Sequence, residues 1–517
     1  MADYVGTVAK RYSQLEGERN TFLERGREAA KLTIPTLLPD EGHSSSSVYD
    51  TPYQGIGARG VNNLASKLLL ALLPPNSPFF RLTIDDFDLQ EIAGENRGQV
   101  EEGLARIERA AMQEIEGRSI RVPSYEALKL LIVTGNALVY MPKEGGMKVF
   151  RPDRYCVKRD AMGNVLEIIT KETISPLMLP EEVRATLPET ETPTKSLDLY
   201  TCVVKDAKGW RTKQEVAGVL IPNSEGTYKK DRNPFIPLRF IRIDGEDYGR
   251  GFIEEYMGDL RSLESLTRAI VQGSAASAKL LFLVRPNGTT KAGQLAKAAN
   301  GTFVTGDAND VSALQVQKAG DFRVALETVR LINDRLSAAF LLNSSVQRSA
   351  ERVTAEEVRF MAQELETALG GVYSILSQEF QMPLINLLLG VLQQEGKMPP
   401  LPKDTVKPTV VTGIEALGRG QDLNKLATFL QYLQPLGAEV IASEMNLNDY
   451  IDRLAASLGI DTSGLIKSAE QKAQEQALQQ QAMQQQMLEQ TAMGMAQRAA
   501  PEIARQEGAS AQEQTME

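Results

Sequence analysis

The residue types that most often do chemistry are scarce and badly spaced in this chain. Its one histidine, His43, sits in the loop "DEGHSSSSVYD", whose polar neighbours favour a solvated surface ring over a general base. No catalytic triad and no histidine metal cluster can be built around it. Cys156 and Cys202 are too few and too far apart for a disulfide framework or a cysteine zinc site, a usage that suits a reducing cytosol. "GIGARG", Gly55 to Gly60, has GxGxxG spacing, in which glycines let a pyrophosphate approach a helix N-terminus. It follows "YDTPYQ" and not a hydrophobic strand, so it reads as a glycine-rich helix start. GxxxxGK[ST] is missing, which excludes a P-loop motor. Carboxylates are plentiful, but they fall on amphipathic faces with Lys or Arg nearby, the pattern of a solvated helix surface. No catalytic residue, no metal and no cofactor is expected.

The elements that would carry any other function come next. With 517 residues, 42% of them hydrophobic and 24% charged, the chain can build two to four domains' worth of core. A net charge of -10 argues against a protein that coats nucleic acid, because such binding needs clustered Lys and Arg. The start, "MADYVGTVAKRYSQLEGERN", lacks the apolar centre of a signal peptide. "LLLALL" at Leu68 and "LLIV" at Leu130 fall short of the roughly 20 residues that span a bilayer, so no membrane insertion is expected.

Helices are predicted over Tyr4 to Leu32, Ala58 to Leu73, Gln99 to Glu116 and Ser124 to Val133. From about Ala137 to Ile243 short β-rich runs bounded by Gly, Pro, Asn and Asp predict a small sheet or barrel. Its polar stretch "LPETETPTKS" reads as a surface loop. Then "GFIEEYMGDLRSLESLTRAIVQGSAASAKLLF" keeps Ile253, Tyr256, Leu260, Leu263, Leu266 and Ile270 on one face and passes into the small run Gly273 to Ala278. It predicts a helix of about 30 residues, on the order of 45 Å. An insert with strand and turn signals follows, then a second helix with Ala325, Val329, Ile332, Leu336 and Phe340 in register. Two long helices joined by a small lobe make a stalk with a head, which one copy alone buries poorly.

The polar loop Asn343 to Glu351 leads into "RVTAEEVRFMAQELETALGGVYSILSQEF". Thr354 and Glu357 form a capping box that starts a helix. The apolar face Val358, Met361, Leu365, Leu369, Val372, Leu376 and Phe380 keeps its phase across Gly370-Gly371. The glycines therefore read as a kink or close packing contact within one helix, at about 1 kcal/mol each against alanine. Pro383 bends or restarts it. Shorter helices, Leu423 to Leu433 and Met445 to Leu458, follow a Pro-rich turn. From Ser468 on there are 14 Gln with Ala and Met, too little apolar surface for a core, so the tail is expected to order only against partners.

Several long runs resemble a known family, the portal or head-to-tail connector proteins of short-tailed phages. They are "TIPTLLP" at Thr33, "DTPYQGIGARGVNNLASKLLLALLP" at Asp50, "RDAMGNVLEIIT" at Arg159, "IRIDGEDYGRGFIEEYMGDLRSLE" at Ile241 and "SSVQRSAERVTAEEVRFMAQELETALGGVYSILSQEF" at Ser344. "TGIEALGRGQDLNKL" at Thr412 and "LGIDTSG" at Leu458 extend the likeness to about residue 470. The resemblance implies a mainly α fold with a smaller β-rich part (α+β), assembling as a ring of twelve copies at one capsid vertex. Through that ring double-stranded DNA is packaged and ejected. It implies a helical wing at 1–136, a β-rich wing at 137–245, stem helices at 246–283 and 322–342, and a clip at 284–321. A channel loop falls at 343–353, a long kinked wing helix at 354–396, a crown at 397–467 and the Gln-rich tail at 468–517. The implied partners are further copies of the chain, the DNA, the terminase motor, capsid and scaffolding proteins, the tail adaptor and internal core proteins. The place is the virion, with host cytoplasm during assembly.

In a closed ring any inward cation is repeated on every subunit, so a few suffice to grip phosphates while acidic surroundings keep the DNA sliding. Gln347, Arg348 and Arg352 in the loop, and Arg323 and Arg330 on the second stem helix, are the DNA-channel candidates. Arg352 has the competing option of pairing with Glu356, and Arg323 and Arg330 could form a basic stripe or a face paired with Glu327. Lys291 and Lys297 are the clip's partner-contact candidates, against the plainer reading of solvated lysines. Thr354, Glu357, Gly370 and Gly371 are the cap and hinge candidates. Two other classes compete: an oligomeric helical scaffold or internal virion protein without a DNA conduit, and an enzyme built on carboxylates.

Overall fold

The structure is a computed structural model that describes residues 6–44, 46–75, 78–84, 97–186, 196–277, 281–314, 319–342, 364–365, 367–398, 406–410 and 427–437, with a few isolated positions. Gln347, Arg348, Arg352, Thr354 and Glu357, and nearly all of the Gln-rich tail, lie outside the described residues. Met1–Gln421 form one compact unit and Asp422–Glu517 another. In the second, a helix over 427–433 runs into a 3-10 turn at Gln434–Leu436, with Phe429 and Tyr432 exposed.

The first unit begins with α1, Val8–Lys31, whose first turn is capped by the Thr7 hydroxyl accepting from the Lys10 amide at 3.3 Å. Next come α2 (Ile56–Leu72), β1 (Phe80–Ile84), α3 (Arg97–Gly117) and α4 (Arg121–Thr134). The β-rich part follows as β2 (Asn136–Tyr140), β3 (Lys148–Phe150), β4 (Tyr155–Arg159) and β5 (Val165–Ile174). After the short α5 (Glu181–Thr186) come β6 (Leu197–Lys205), β7 (Gly209–Val216), β8 (Val219–Leu220), β9 (Gly226–Lys229) and β10 (Phe235–Arg239). These strands form two antiparallel sheets rather than one sheet or a barrel: β10-β2-β3, and β4 to β8 in sequence order with β9 added to β7. Neighbours in sequence pair in space because short turns make hairpins the easiest connection. The buried stripe Val8, Tyr12 and Leu15 of α1 packs on Cys156, Ile169 and Cys202 of the larger sheet.

One core joins α2, α3 and α4 to later segments. Leu64, Leu68, Ile115, Leu131, Leu260, Leu336, Phe340, Leu384 and Leu388 are all fully buried within it. At about 1.5–3 kcal/mol per large apolar side chain, this cluster dominates the unit's stability. The expected segments are therefore parts of one compact body, which covers sequence from Leu23 to Val406. The sequence pattern missed the short α5 and both strands of one pair. β13, Val406–Val410, pairs antiparallel with β1, and Pro408 within it had argued for a turn.

The helix expected across Gly370-Gly371 is interrupted there. Gly370 has φ 52, a left-handed value that breaks the α ladder, and helix resumes as α10, Val372–Leu376. An added Cβ at either glycine would meet nothing within 4 Å, so close packing does not explain the pair; backbone freedom explains Gly370, while Gly371 has φ -61, open to any residue. α10 passes through a π turn, Ser377–Gln381, into α11, Met382–Gln394. Pro383 lacks the N–H that would bond the Glu379 carbonyl, and the π turn accommodates that missing bond. By length and composition Val372–Gln394 could cross a membrane, yet Leu376, Phe380, Leu384, Ile385 and Leu388 make it a core helix.

Buried ionic contacts seat this segment. The Glu379 carboxylate accepts from the Arg239 amide and Nε, each at 3.0 Å, and lies 3.8 Å from Arg159 Nη1. Arg239 and Arg159 are nearly fully buried. Burial pushes the Arg159 pKa down to about 10 while Glu379 opposes the fall, and Arg159 also donates to the Asp247 carbonyl at 3.1 Å.

Candidate functional site: the long-helix pair and its insert

The sequence pattern placed the functional weight on two long helices and the lobe between them. The first begins as α6, Phe252–Glu255, and after a turn at Tyr256 continues as α7, Met257–Ser277. It ends earlier than expected, because Leu281–Val284 is already a strand, β11. The insert continues with a short helix, α8 (Ala292–Lys297), and β12 (Val311–Leu314), which pairs antiparallel with β11. The second long helix is α9, Ala319–Ala339.

α7 and α9 pack closely where Gly273 meets Phe322. A Cβ at Gly273 would lie 2.5 Å from the Phe322 ring, so only glycine admits the ring there. Arg335 Nη2 bonds Asp259 Oδ1 across the pair at 2.8 Å. Toward the core, Leu260 and Leu263 of α7 and Ile332, Leu336 and Phe340 of the α9 end are buried. Between Leu263 and Ile332 no hydrophobic side chain is buried among the described residues. Val271, Phe282, Leu283, Phe303, Val324, Leu326 and Leu331 are exposed instead, Phe303 completely. The insert is held by polar contacts: the buried Asp310 carboxylate accepts from the Thr290 amide at 3.2 Å and the Thr289 hydroxyl at 3.3 Å. A two-stranded sheet of this kind has little stability of its own.

The end of α9 is built from residues that the sequence pattern did not single out. Leu341 takes φ 53, a left-handed C-terminal position unusual for a residue other than glycine, and the Leu342 amide reaches back to the Ser337 carbonyl at 2.9 Å. Asn63 Nδ2 donates to the carbonyls of Phe340 and Leu341, at 3.0 and 3.1 Å. Lys67 Nζ donates to the Leu341 carbonyl at 3.1 Å and pairs with Glu364 at 2.9 Å. A lysine inside the apolar run "NLASKLLLALL" was the available signal, since a buried lysine needs partners. The "GIGARG" glycines have packing roles: a Cβ at Gly57 would fall 2.6 Å from the Leu32 carbonyl, and one at Gly60 would fall 2.4 Å from the Phe340 ring.

Of the candidates, Arg323 is exposed on α9, and Arg330, also exposed, lies 3.7 Å from Glu327, the pairing that competes with a role toward DNA. Lys291 precedes α8 and Lys297 ends it, both exposed and without an ion pair among the described residues. No group of three or more His, Cys, Asp or Glu that could hold a metal ion occurs among the described residues. Burial pushes the Cys156 and Cys202 thiols up to about 12, which makes them poor nucleophiles.

Comparison with known proteins decides among the competing readings. The profile of a family described as bacteriophage head to tail connecting protein matches residues 5–466. The portal protein of Escherichia phage T7 is 46% identical over 472 residues, covering 89% of this chain and 88% of that protein. That of Enterobacteria phage T3 is 47% identical over 471 residues with the same coverages, and that of Enterobacteria phage SP6 is 32% identical over 481 residues, 90% of each. These relatives are portal proteins, which favours the connector reading over the helical scaffold. The chain belongs to the bacteriophage head-to-tail connecting family, the portal proteins of short-tailed phages.

Proposed function

We propose that the chain is one subunit of a closed, twelve-membered ring at one capsid vertex, through which double-stranded DNA passes during packaging and ejection. The observation that carries this reading is the bare apolar surface from Val271 to Leu331 on α7, α9 and the insert. Large apolar side chains exposed together in one segment mark an interaction surface, and a head-to-tail ring covers them on every copy without leaving an open end. In this reading residues 1–245 are the wing, α7 and α9 the stem, 284–321 the clip, 343–353 the channel loop and 397–467 the crown. The clip, with Lys291 and Lys297, meets the terminase motor and later the tail adaptor, while the wing and crown face capsid, scaffolding and internal core proteins. Arg323 and Arg330, with Gln347, Arg348 and Arg352, touch the phosphates.

Electron microscopy of the purified chain along the particle axis tests the ring. Twelve-fold rings are expected, and their loss is expected when Val324→Asp and Leu331→Asp are combined, with circular dichroism unchanged because neither side chain is in the core. Particles without an open centre, or rings indifferent to both aspartates, would refute the proposal. The loop assignment is tested separately by Arg348→Ala with Arg352→Ala: packaging rate and DNA retention equal to wild type would remove it.

A further inference from the structure

The insert contains the triplet Asn-Gly-Thr twice, at Asn287-Gly288-Thr289 and at Asn300-Gly301-Thr302, and the fold holds the two differently. The first sits in a turn closed by the Gly288 amide donating to the Arg285 carbonyl at 3.1 Å, with Pro286 fixing the second position. Behind it stands the Asp310 carboxylate, so close that a Cβ on Gly288 would meet its carbon at 2.4 Å. Asp310 also accepts from the Arg285 amide through its main-chain carbonyl, at 2.9 Å, so the turn is clamped on two sides.

The second triplet sits in a turn closed one residue later, by the Thr302 amide donating to the Ala299 carbonyl at 3.2 Å. Gly301 occupies its third position with φ 86, the geometry of a type II turn. In such a turn the amide of the third residue is not the closing donor, and the Gly301 N–H makes no hydrogen bond among the described residues. Nothing lies within 4 Å of where a Cβ on Gly301 would be, and both Asn300 and Gly301 are exposed.

We propose that Asn300 is a site of spontaneous conversion to aspartate and isoaspartate, and that Asn287 is protected from it. The Gly301 nitrogen, giving its proton to solvent base, attacks the Asn300 side-chain carbonyl carbon. A new carbon–nitrogen bond closes a five-membered imide, the bond to Nδ2 breaks, and ammonia leaves. Water then opens the imide, at the side-chain carbonyl to give aspartate or at the main-chain carbonyl to give isoaspartate. No oxidant or reductant is involved. Glycine is the least hindered residue at the attacking position, and a free N–H in an open turn has no hydrogen bond to give up first. The Gly288 amide must first leave its hydrogen bond and the clamped turn must open, which slows Asn287 by about tenfold. Each converted copy gains a carboxylate three residues from Lys297 and from the fully exposed Phe303.

The test incubates the full-length protein at mildly alkaline pH and follows both peptides by mass spectrometry after digestion. Asn300 is expected to convert about tenfold faster than Asn287 in the folded protein, and the two to approach each other in urea, because the Asn-Gly-Thr triplet is the same. Asp310→Ala, which removes the carboxylate side of the clamp and leaves the main-chain bonds, is expected to raise the Asn287 rate part of the way toward that of Asn300. Equal rates in the folded state, faster conversion at Asn287, or an intact Asn300 would overturn the proposal.

Discussion

Glu379→Gln is the substitution that best tests the reading that buried ionic contacts seat the α10–α11 segment. The change keeps the shape of the side chain and removes its charge. Arg239, nearly fully buried, loses the acceptor of its Nε at 3.0 Å as a charged partner, and Arg159 loses the carboxylate at 3.8 Å that opposes its desolvation. Stranding one side of a buried ion pair costs about 3–5 kcal/mol, and the partial exposure of Glu379 places this case near the lower end, about 3 kcal/mol. In a unit larger than 250 residues each kcal/mol moves the melting temperature by about 1–2 °C, so a fall of about 3–6 °C is expected. Differential scanning calorimetry of the assembled protein measures it. A double-mutant cycle adds the mechanism: Arg239→Met with Glu379→Leu should lose less than the sum of the two single changes, because only Arg159 then lacks the carboxylate and neither Arg239 nor Glu379 is left without the other. A Tm within about 1 °C of wild type for Glu379→Gln, or strict additivity in the cycle, would refute the ion-pair argument.

Gly60→Val should destabilise by about 1–3 kcal/mol through overlap with the Phe340 ring, and Phe340→Leu in the same chain should restore part of the loss in thermal melts. The Glu114 carboxyl is held below its ordinary 4.5, first by the hydrogen bond from Arg118 and further by its charge and that of Lys397. Its contribution is therefore complete above pH 4.5 and lost as pH falls through the lower folded value, so the deficit of Glu114→Gln in urea titrations should be present at pH 7 and gone in strong acid. Cys156 and Cys202, with pKa values pushed up to about 12, should not react with a thiol-specific disulfide reagent at pH 8 in the native protein, and both should react in guanidinium.

Much of the helical frame was legible because its apolar spacing is regular: α1 to α4 fall within a few residues of the predicted spans, and the β-rich block follows the change to period two. What escaped was set by partners far away in sequence. β13 contains Pro408 and is a strand only because Phe80–Ile84 supplies its other half, more than 300 residues earlier. Gly370 keeps the apolar phase of its neighbours while its backbone turns left-handed, a break that side-chain periodicity does not register. The clasp of Asn63 and Lys67 on Phe340 and Leu341 joins residues nearly 280 apart, so neither partner announces the other. At the candidate site the exposure of Arg323 and Arg330 agrees with amphipathic spacing, but which cation finds a carboxylate depends on side-chain reach, as Arg330 and Glu327 illustrate.

Burial divides the first unit unevenly, and the division has a physical consequence. Leu64, Leu131, Phe340 and Leu388 lie in a core that one chain completes by itself, with Glu379 and two arginines fixing the segment that follows the Gly370 break. The stretch from Leu263 to Ile332 completes no such core among the described residues; its contacts include that of Gly273 with Phe322 and the polar knot at Asp310. A segment of that kind takes its rigidity from whatever covers its apolar side chains, so its order is coupled to assembly by mass action. Lys67 stands at the junction of the two regimes. One ammonium holds the carbonyl that ends α9 and the carboxylate of Glu364, and it is fixed to α2 in the self-sufficient core. Motion in the long-helix pair therefore meets a rigid stop at Leu341, where a left-handed leucine and two side-chain donors leave the backbone little freedom to pass it on.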